Sequence, residues 1–361
     1  MAAFFPAPQT APAQEIAAGE HPRPLFSVLI ATYNQAAYIR ETLDSVAGQM
    51  CTDYEVVVVD DGSTDGTGEV VCRWIGENQL GLTHPVLFSR IPNSGQSAAM
   101  EHGFALCSGR YICLLDSDDR WVPEKLAMIS EAIRENPDAG MIQHPLVVID
   151  PQGRRTGDVR PKRARLSHGD LREQFRRTGR IAAAATSGMV LRADIFQQLV
   201  PMPTKRFRTA ADYYLAHGAA LLAPVCSLER PLAEYRLHSE GNHLKSLTSA
   251  EGLEYWVDLQ QVVARHFRMD HVLQSDSIFT RNNFARAKLR ETPSRQAAAL
   301  YHLLRATITD RSFGYSDRLL FGAFWVACFL SPRALFDRLW HRFQLKATGY
   351  DKILRLAEAG R

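Results

Sequence analysis

Five aspartates fall in two short clusters, Asp60 with Asp61 and Asp116 with Asp118 and Asp119. Carboxylates packed together repel, and a divalent cation or hydrogen-bond donors among them relieves the repulsion. Hard oxygen ligands of this kind suit Mg²⁺ or Mn²⁺ rather than zinc. A metal held by one or two carboxylates fills its remaining positions with water and phosphate oxygens, so the implied substrate is a phosphorylated compound. Acids that merely cap helices after strands are the plainer reading of either cluster alone. Two clusters at two strand ends favour the metal and phosphate reading.

The elements that must place these residues are legible in the pattern. LFSVLIATYN, from Leu25, is a β-branched apolar run without strict alternation, as in a strand covered on both faces. Ile39, Leu43, Val46 and Ala47 then recur at helical spacing. A second strand, Tyr54 to Val59, runs into Asp60, and DGSTDGT reads as a turn and helix start capped by Ser63 or Thr64. A third strand is expected at Val86 to Ser89, a helix from Ser97 to Cys107, and a fourth strand from Tyr111 to Leu115 that ends at DSDD. The alternation predicts an α/β fold with an open, mostly parallel, Rossmann-like sheet, in which ligands gather beyond the carboxyl ends of the strands. Further on, Ala182 to Leu191 is expected to return a strand to the sheet, and 250–310 is mostly helical by pattern.

Composition bounds the partners. The chain has 361 residues, 42 Lys plus Arg against 39 Asp plus Glu, and 46% hydrophobic residues, enough for a sizeable core and too nearly neutral to make nucleic acid its partner. Six cysteines without CxxC spacing read as thiols in a reducing, cytoplasmic setting. Residues 1–24 read as a flexible tail without a secretory pattern. The longest apolar run, Leu319 to Leu330, has 12 residues, short of the ~20 that cross a bilayer.

The series SVLIATYNQAAYIRETLDSV, VVVVDDGSTDGT and NSGQSAAMEHGFALCSGRYICLLDSDD resembles the family 2 glycosyltransferases of the GT-A fold, over about residues 25–240. The resemblance implies a nucleotide-binding α/β domain, with 241–361 as a helical C-terminal region that meets membrane or partner. It assigns Thr32 and Tyr33 to the nucleotide, Asp60 and Asp61 to base and ribose, and Asp116 and Asp118 of the DxD element to metal and diphosphate. The chemistry agrees: Asp61 can accept a uracil imide N–H, Asp116 a ribose hydroxyl, and Asp118 is the best placed metal ligand. The leaving nucleoside diphosphate gains negative charge as the anomeric bond breaks, which asks for Mg²⁺ or Mn²⁺.

An inverting member also needs a base for the acceptor hydroxyl, and RTAADYYLAHGAALLA offers Asp212 at a helix start, with Ala211 where the family usually has Glu. ERPLAEYRLHSEGNH resembles the family's YRxH segment. By that likeness Arg236 binds diphosphate and His238 ligates the metal or touches a phosphate. The QxxRW motif of processive synthases is absent, which points to addition of one sugar from a nucleotide diphosphate donor, expected to be UDP-linked, to a hydroxyl of a glycan or lipid-linked acceptor. The rivals are a catalytically degenerate glycan-binding or scaffold subunit and a sugar nucleotidyltransferase; the latter opens with a glycine-rich signature where this chain has TYNQ.

Residues 154–180 hold ten Arg or Lys against three acids and read as loop and exposed helix. Leu335, Phe336, Leu339, Trp340 and Phe343 form an apolar stripe flanked by Arg338 and Arg342. Together they raise peripheral contact with the inner face of the cytoplasmic membrane as a secondary expectation, against the ordinary readings of solvated loop and core helix. The oligomeric state is left open.

Overall fold

Residues 23–78, 86–161, 165–203, 208–238, 250–268, 270–310 and 314–348 are described in the computed structural model. Nearly all of the expected tail 1–24 lies outside them, as does the 240/241 domain boundary. The strands β1 (Phe26–Thr32), β2 (Tyr54–Asp60), β3 (Val86–Arg90) and β4 (Tyr111–Asp116) follow the expected order. Their connecting helices are α1 (Ile39–Ala47), α2 (Thr67–Asn78) and α3 (Gln96–Leu106). β1 and β2 are covered on both faces, and this accounts for their unbroken apolar runs.

Downstream come β5 (Arg120–Trp121), α4 (Lys125–Glu135), β6 (Met141–Gln143), β7 (Leu146–Ile149), β8 (Arg155–Arg160) and α5 (Arg172–Thr178). Then follow β9 (Met189–Arg192), α6 (Ala193–Leu199), α7 (Ala211–Leu222), β10 (Val225–Ser227) and β11 (Ala233–Arg236). The main sheet has the order β10-β6-β9-β4-β1-β2-β3. It is parallel except for β9, which runs antiparallel between β4 and β6. A second sheet, β5-β11-β7-β8, carries the YRLH segment.

Three local expectations change. The returning strand starts at Met189, not Ala182, because Thr186–Gly188 first turns as a 3₁₀ helix. The basic segment supplies an edge strand, β8, paired with β7, as well as the short helix α5. Neither Ser63 nor Thr64 caps α2; Asp65 does, accepting the Thr67 N–H at 3.0 Å and the Thr67 hydroxyl at 2.5 Å.

The C-terminal region is helical: α8 (Ala250–His266), α9 (Ser277–Arg290), α10 (Pro293–Thr309), α11 (Tyr315–Leu330) and α12 (Arg333–Thr348). Two apolar cores result. One surrounds the main sheet and includes Val257, Leu259 and Val263 of α8, while the other joins Phe284, Leu303, Trp325, Phe336 and Trp340. The stripe on the last helix is therefore turned largely inward: Phe336 and Trp340 are buried and only Leu335 is well exposed. Among the described residues no helix is long and apolar enough to cross a membrane.

Candidate active site

Register assembles the acidic rim. Thr32 lies opposite Asp60 on β2, and Ala31 opposite Asp116 on β4, so three strand ends share one edge. The loops beyond this edge are stapled together. The Asn34 and Gln35 N–H groups donate to the Ser63 and Thr67 hydroxyls at 2.9 and 2.8 Å, and the Thr64 N–H donates to Asn34 Oδ1 at 2.8 Å. Tyr33 stands exposed on this wall, with Thr32 buried beneath.

The two acids of the first cluster face inward. Asp60 is fully buried, accepts the Ser63 N–H at 2.8 Å and lies 3.5 Å from Arg90. The carboxylate thereby shapes the turn that follows β2. Asp61 accepts the Ser94 and Gly95 N–H groups at 2.6 and 2.8 Å, so it ties the β3–α3 loop against the β2 end. Gly95 has φ 97°, and a Cβ there would meet Arg208 backbone at 2.7 Å, which explains the glycine.

The second cluster meets residues from far along the chain. The Asp118 carboxylate lies 2.9 Å from His238 Nε2, bringing the loop after β4 to the second residue past β11. Gln96 Nε2 donates to Asp116 Oδ1 at 3.1 Å. Burial first, then the charges of Asp118 and Asp212, push the Asp116 carboxyl up to about 8. Asp212, in the first turn of α7, therefore lies near enough for its charge to act on Asp116. Burial likewise raises the Asp212 carboxyl above its ordinary range.

Arg236, expected on the diphosphate, is bonded within the protein. Its side chain is fully covered: Nε donates to the Asp118 carbonyl at 2.8 Å, Nη1 to the Pro151 carbonyl at 3.0 Å and Nη2 to Glu41 at 2.7 Å. The guanidinium also lies 4.8 Å from the Tyr38 ring centre. It buttresses the loop that carries Asp118.

Comparison with known proteins gives this geometry its context. The family model for glycosyl transferase family 2 matches residues 27–200. An uncharacterized glycosyltransferase of a Nostoc species is 31% identical over 230 residues, which are 63% of this chain and 70% of that one. The chain belongs to glycosyltransferase family 2. Another relative of this transferase, a putative teichuronic acid biosynthesis glycosyltransferase, TuaG of Bacillus subtilis, is 36% identical over 113 residues, 31% of this chain and 43% of its own length. Among solved structures, S. aureus TarS residues 1–349 in complex with UDP-GlcNAc aligns with a TM-score of 0.54 at 20% identity, over 89% of this chain and 92% of that one. A mannosyltransferase from Pyrobaculum calidifontis in complex with GDP-Man and Mn²⁺ aligns at 0.53 and 20% identity, over 92% and 87%. The fold of the family 2 transferase is thus GT-A, with a mostly parallel central sheet and a helical C-terminal region.

The residues fit a divalent cation in one respect that the donor set itself reveals. A carboxylate oxygen and an imidazole nitrogen converge next to a carboxyl that burial first, and the neighbouring acids Asp118 and Asp212 second, hold above its ordinary range. Among the described residues no three His, Cys, Asp or Glu side chains form a ready cage. Such a site is completed by water and substrate oxygens, as is usual for Mg²⁺.

Sequence reasoning missed what supports the cluster. Ser187 Oγ accepts the Asp116 N–H at 3.0 Å and donates to Asp119 Oδ2 at 2.6 Å, while Asp119 Oδ1 accepts the Arg236 N–H at 2.8 Å. Lys125, fully buried against the Trp121 ring, donates to the Ser187 carbonyl at 2.6 Å. One buried carboxylate and one serine thus join the DSDD loop, the Thr186–Gly188 turn and the YRLH segment. The available signal was a pair of hydroxyls, Thr186 and Ser187, inside the otherwise apolar AAAATSGMVL.

Proposed function

We propose that this transferase moves one sugar, with inversion, from a UDP-linked donor to a hydroxyl of a glycan or lipid-linked acceptor in polysaccharide or glycoconjugate biosynthesis. The convergence of Asp118 and His238 beside Asp116 and Asp212 carries this reading. The relative named for teichuronic acid biosynthesis and the neighbour bound to UDP-GlcNAc support the pathway class and the donor. The neighbour bound to Mn²⁺ supports the metal. The GT-A domain spans 25–240 in this reading, with 241–361 as an extension. Six free thiols suit work in the cytoplasm.

In this assignment Thr32 and Tyr33 form the floor and wall for the nucleotide. Asp61 reads the base, since only two of a carboxylate's roughly four acceptor positions are taken by the Ser94 and Gly95 N–H groups. Asp116 accepts a ribose hydroxyl. Asp118 and His238 would hold Mg²⁺ or Mn²⁺. When bound, the cation neutralises the diphosphate as the anomeric bond breaks. Asp212 takes the acceptor hydroxyl's proton while that oxygen bonds to the anomeric carbon and the electron pair of the breaking bond leaves with UDP. Burial, which lifts the Asp212 carboxyl, makes it a stronger base than an exposed aspartate.

UDP release from UDP-sugars in the presence of Mn²⁺ tests the assignment. Asp118→Asn and Asp212→Asn should each lower kcat by about 10²–10⁴-fold, with donor affinity kept in the Asp212 variant. An Asp212→Asn enzyme within about tenfold of the parent kcat removes the base assignment.

A further inference from the structure

The apolar stripe that points outward is not on the last helix but on the one before it. α11 buries Trp325 and Cys328 against Phe336 and Trp340 of α12. Its opposite face is apolar as well: Leu319 is 55% exposed, Leu320 64%, Val326 38% and Leu330 75%, with Ala323 and Ala327 between them. A helix that is apolar all round belongs against a second apolar phase, and here only one side has it. The stripe continues around the corner into α12 through Leu335, which is 47% exposed. There Arg333, Arg338 and Arg342 are exposed against a single exposed acid, Asp337.

We propose that the α11 face and the arginines of α12 dock this protein on a lipid surface with anionic headgroups. Leucine and valine side chains enter the headgroup boundary while the guanidinium groups meet lipid phosphates at its edge. A second copy fits this surface less well. A second copy would offer these arginines the same surface, in which α12 exposes one acid, Asp337. The inference rests on the surface chemistry of α11 and α12 and not on the donor or base assignments, so the two can fail separately.

Vesicle co-sedimentation of the full chain decides it, using phosphatidylcholine alone and phosphatidylcholine with phosphatidylglycerol. The protein should pellet with the anionic vesicles and release as salt rises. Leu320→Glu with Leu330→Glu should lower the bound fraction about tenfold, and Arg338→Glu with Arg342→Glu should weaken binding and flatten its salt dependence. Both variants should keep the parent melting curve and UDP release, because the replaced side chains are exposed. A parent chain that stays in the supernatant with anionic vesicles overturns the proposal. So does a parent dimer in sedimentation velocity that Leu320→Glu with Leu330→Glu turns into monomers, since the covering surface is then a second copy.

Discussion

Ser187 shows how far single residues depend on distant partners. It touches the backbone of Asp116 and the carboxylate of Asp119, and Asp119 in turn holds the backbone of Arg236. Ser187→Ala leaves two buried groups short of a partner and should cost about 1–3 kcal/mol in denaturant unfolding, with a lower kcat because Asp116 and Asp118 lose their common support. A variant with unchanged stability and kcat contradicts that role. The DSDD acids and Asp212 stood out in the sequence as candidates because their types name a chemistry. The protein partners of Arg236 did not: a guanidinium has five donors, and only tertiary structure brings three of them to Glu41 and two carbonyls. His217 gives a pH test at this scale. Burial lowers its imidazole to about 4, and its Nδ1 lies 2.7 Å from the Tyr213 carbonyl. A folded pKa below the unfolded value of about 6.5 means stability is complete above that pH and is lost as pH falls toward 4. The parent should therefore lose up to about 3 kcal/mol more than His217→Gln across this window, and parallel curves would contradict it.

At the scale of elements, β1, β2 and β4 were readable because a strand buried on both faces has a continuous apolar signature. The second sheet was not. β8 is alternately exposed and part-covered, its residues are RTGDVR, and its pairing with β7 exists only in three dimensions. The β3–α3 loop is the element on which the proposed donor site rests. It is held by Asp61 and by the left-handed backbone at Gly95, beside Arg208, whose side chain bonds to Asn93. Gly95→Ala should cost about 1–3 kcal/mol in strain and contact and weaken UDP binding, read by thermal unfolding and by titration. Wild-type stability and affinity in that variant would show that the loop is free to relax.

For the whole molecule, the join between the sheet domain and the helical region is the least predictable feature from pattern, since helical periodicity does not say which core a helix enters. α8 enters the core of the sheet domain, and Arg180 pairs with Asp310 at 2.9 Å, with both side chains only about a tenth exposed. Arg180→Ala removes the charged partner of a covered carboxylate and leaves it the Ser277 hydroxyl. It should lower unfolding stability by about 3 kcal/mol while UDP affinity is kept, because neither residue belongs to the proposed donor site. The central claim spans the whole fold: strand ends far apart in sequence converge to bind a nucleoside diphosphate together with a divalent cation. Isothermal titration of UDP into the protein with Mn²⁺, with EDTA, and into Asp118→Asn with Mn²⁺ tests it most directly. The account predicts one saturable heat with Mn²⁺ that disappears in EDTA and falls at least about tenfold in affinity in the variant. Binding of equal strength under all three conditions, or no heat under any, contradicts it.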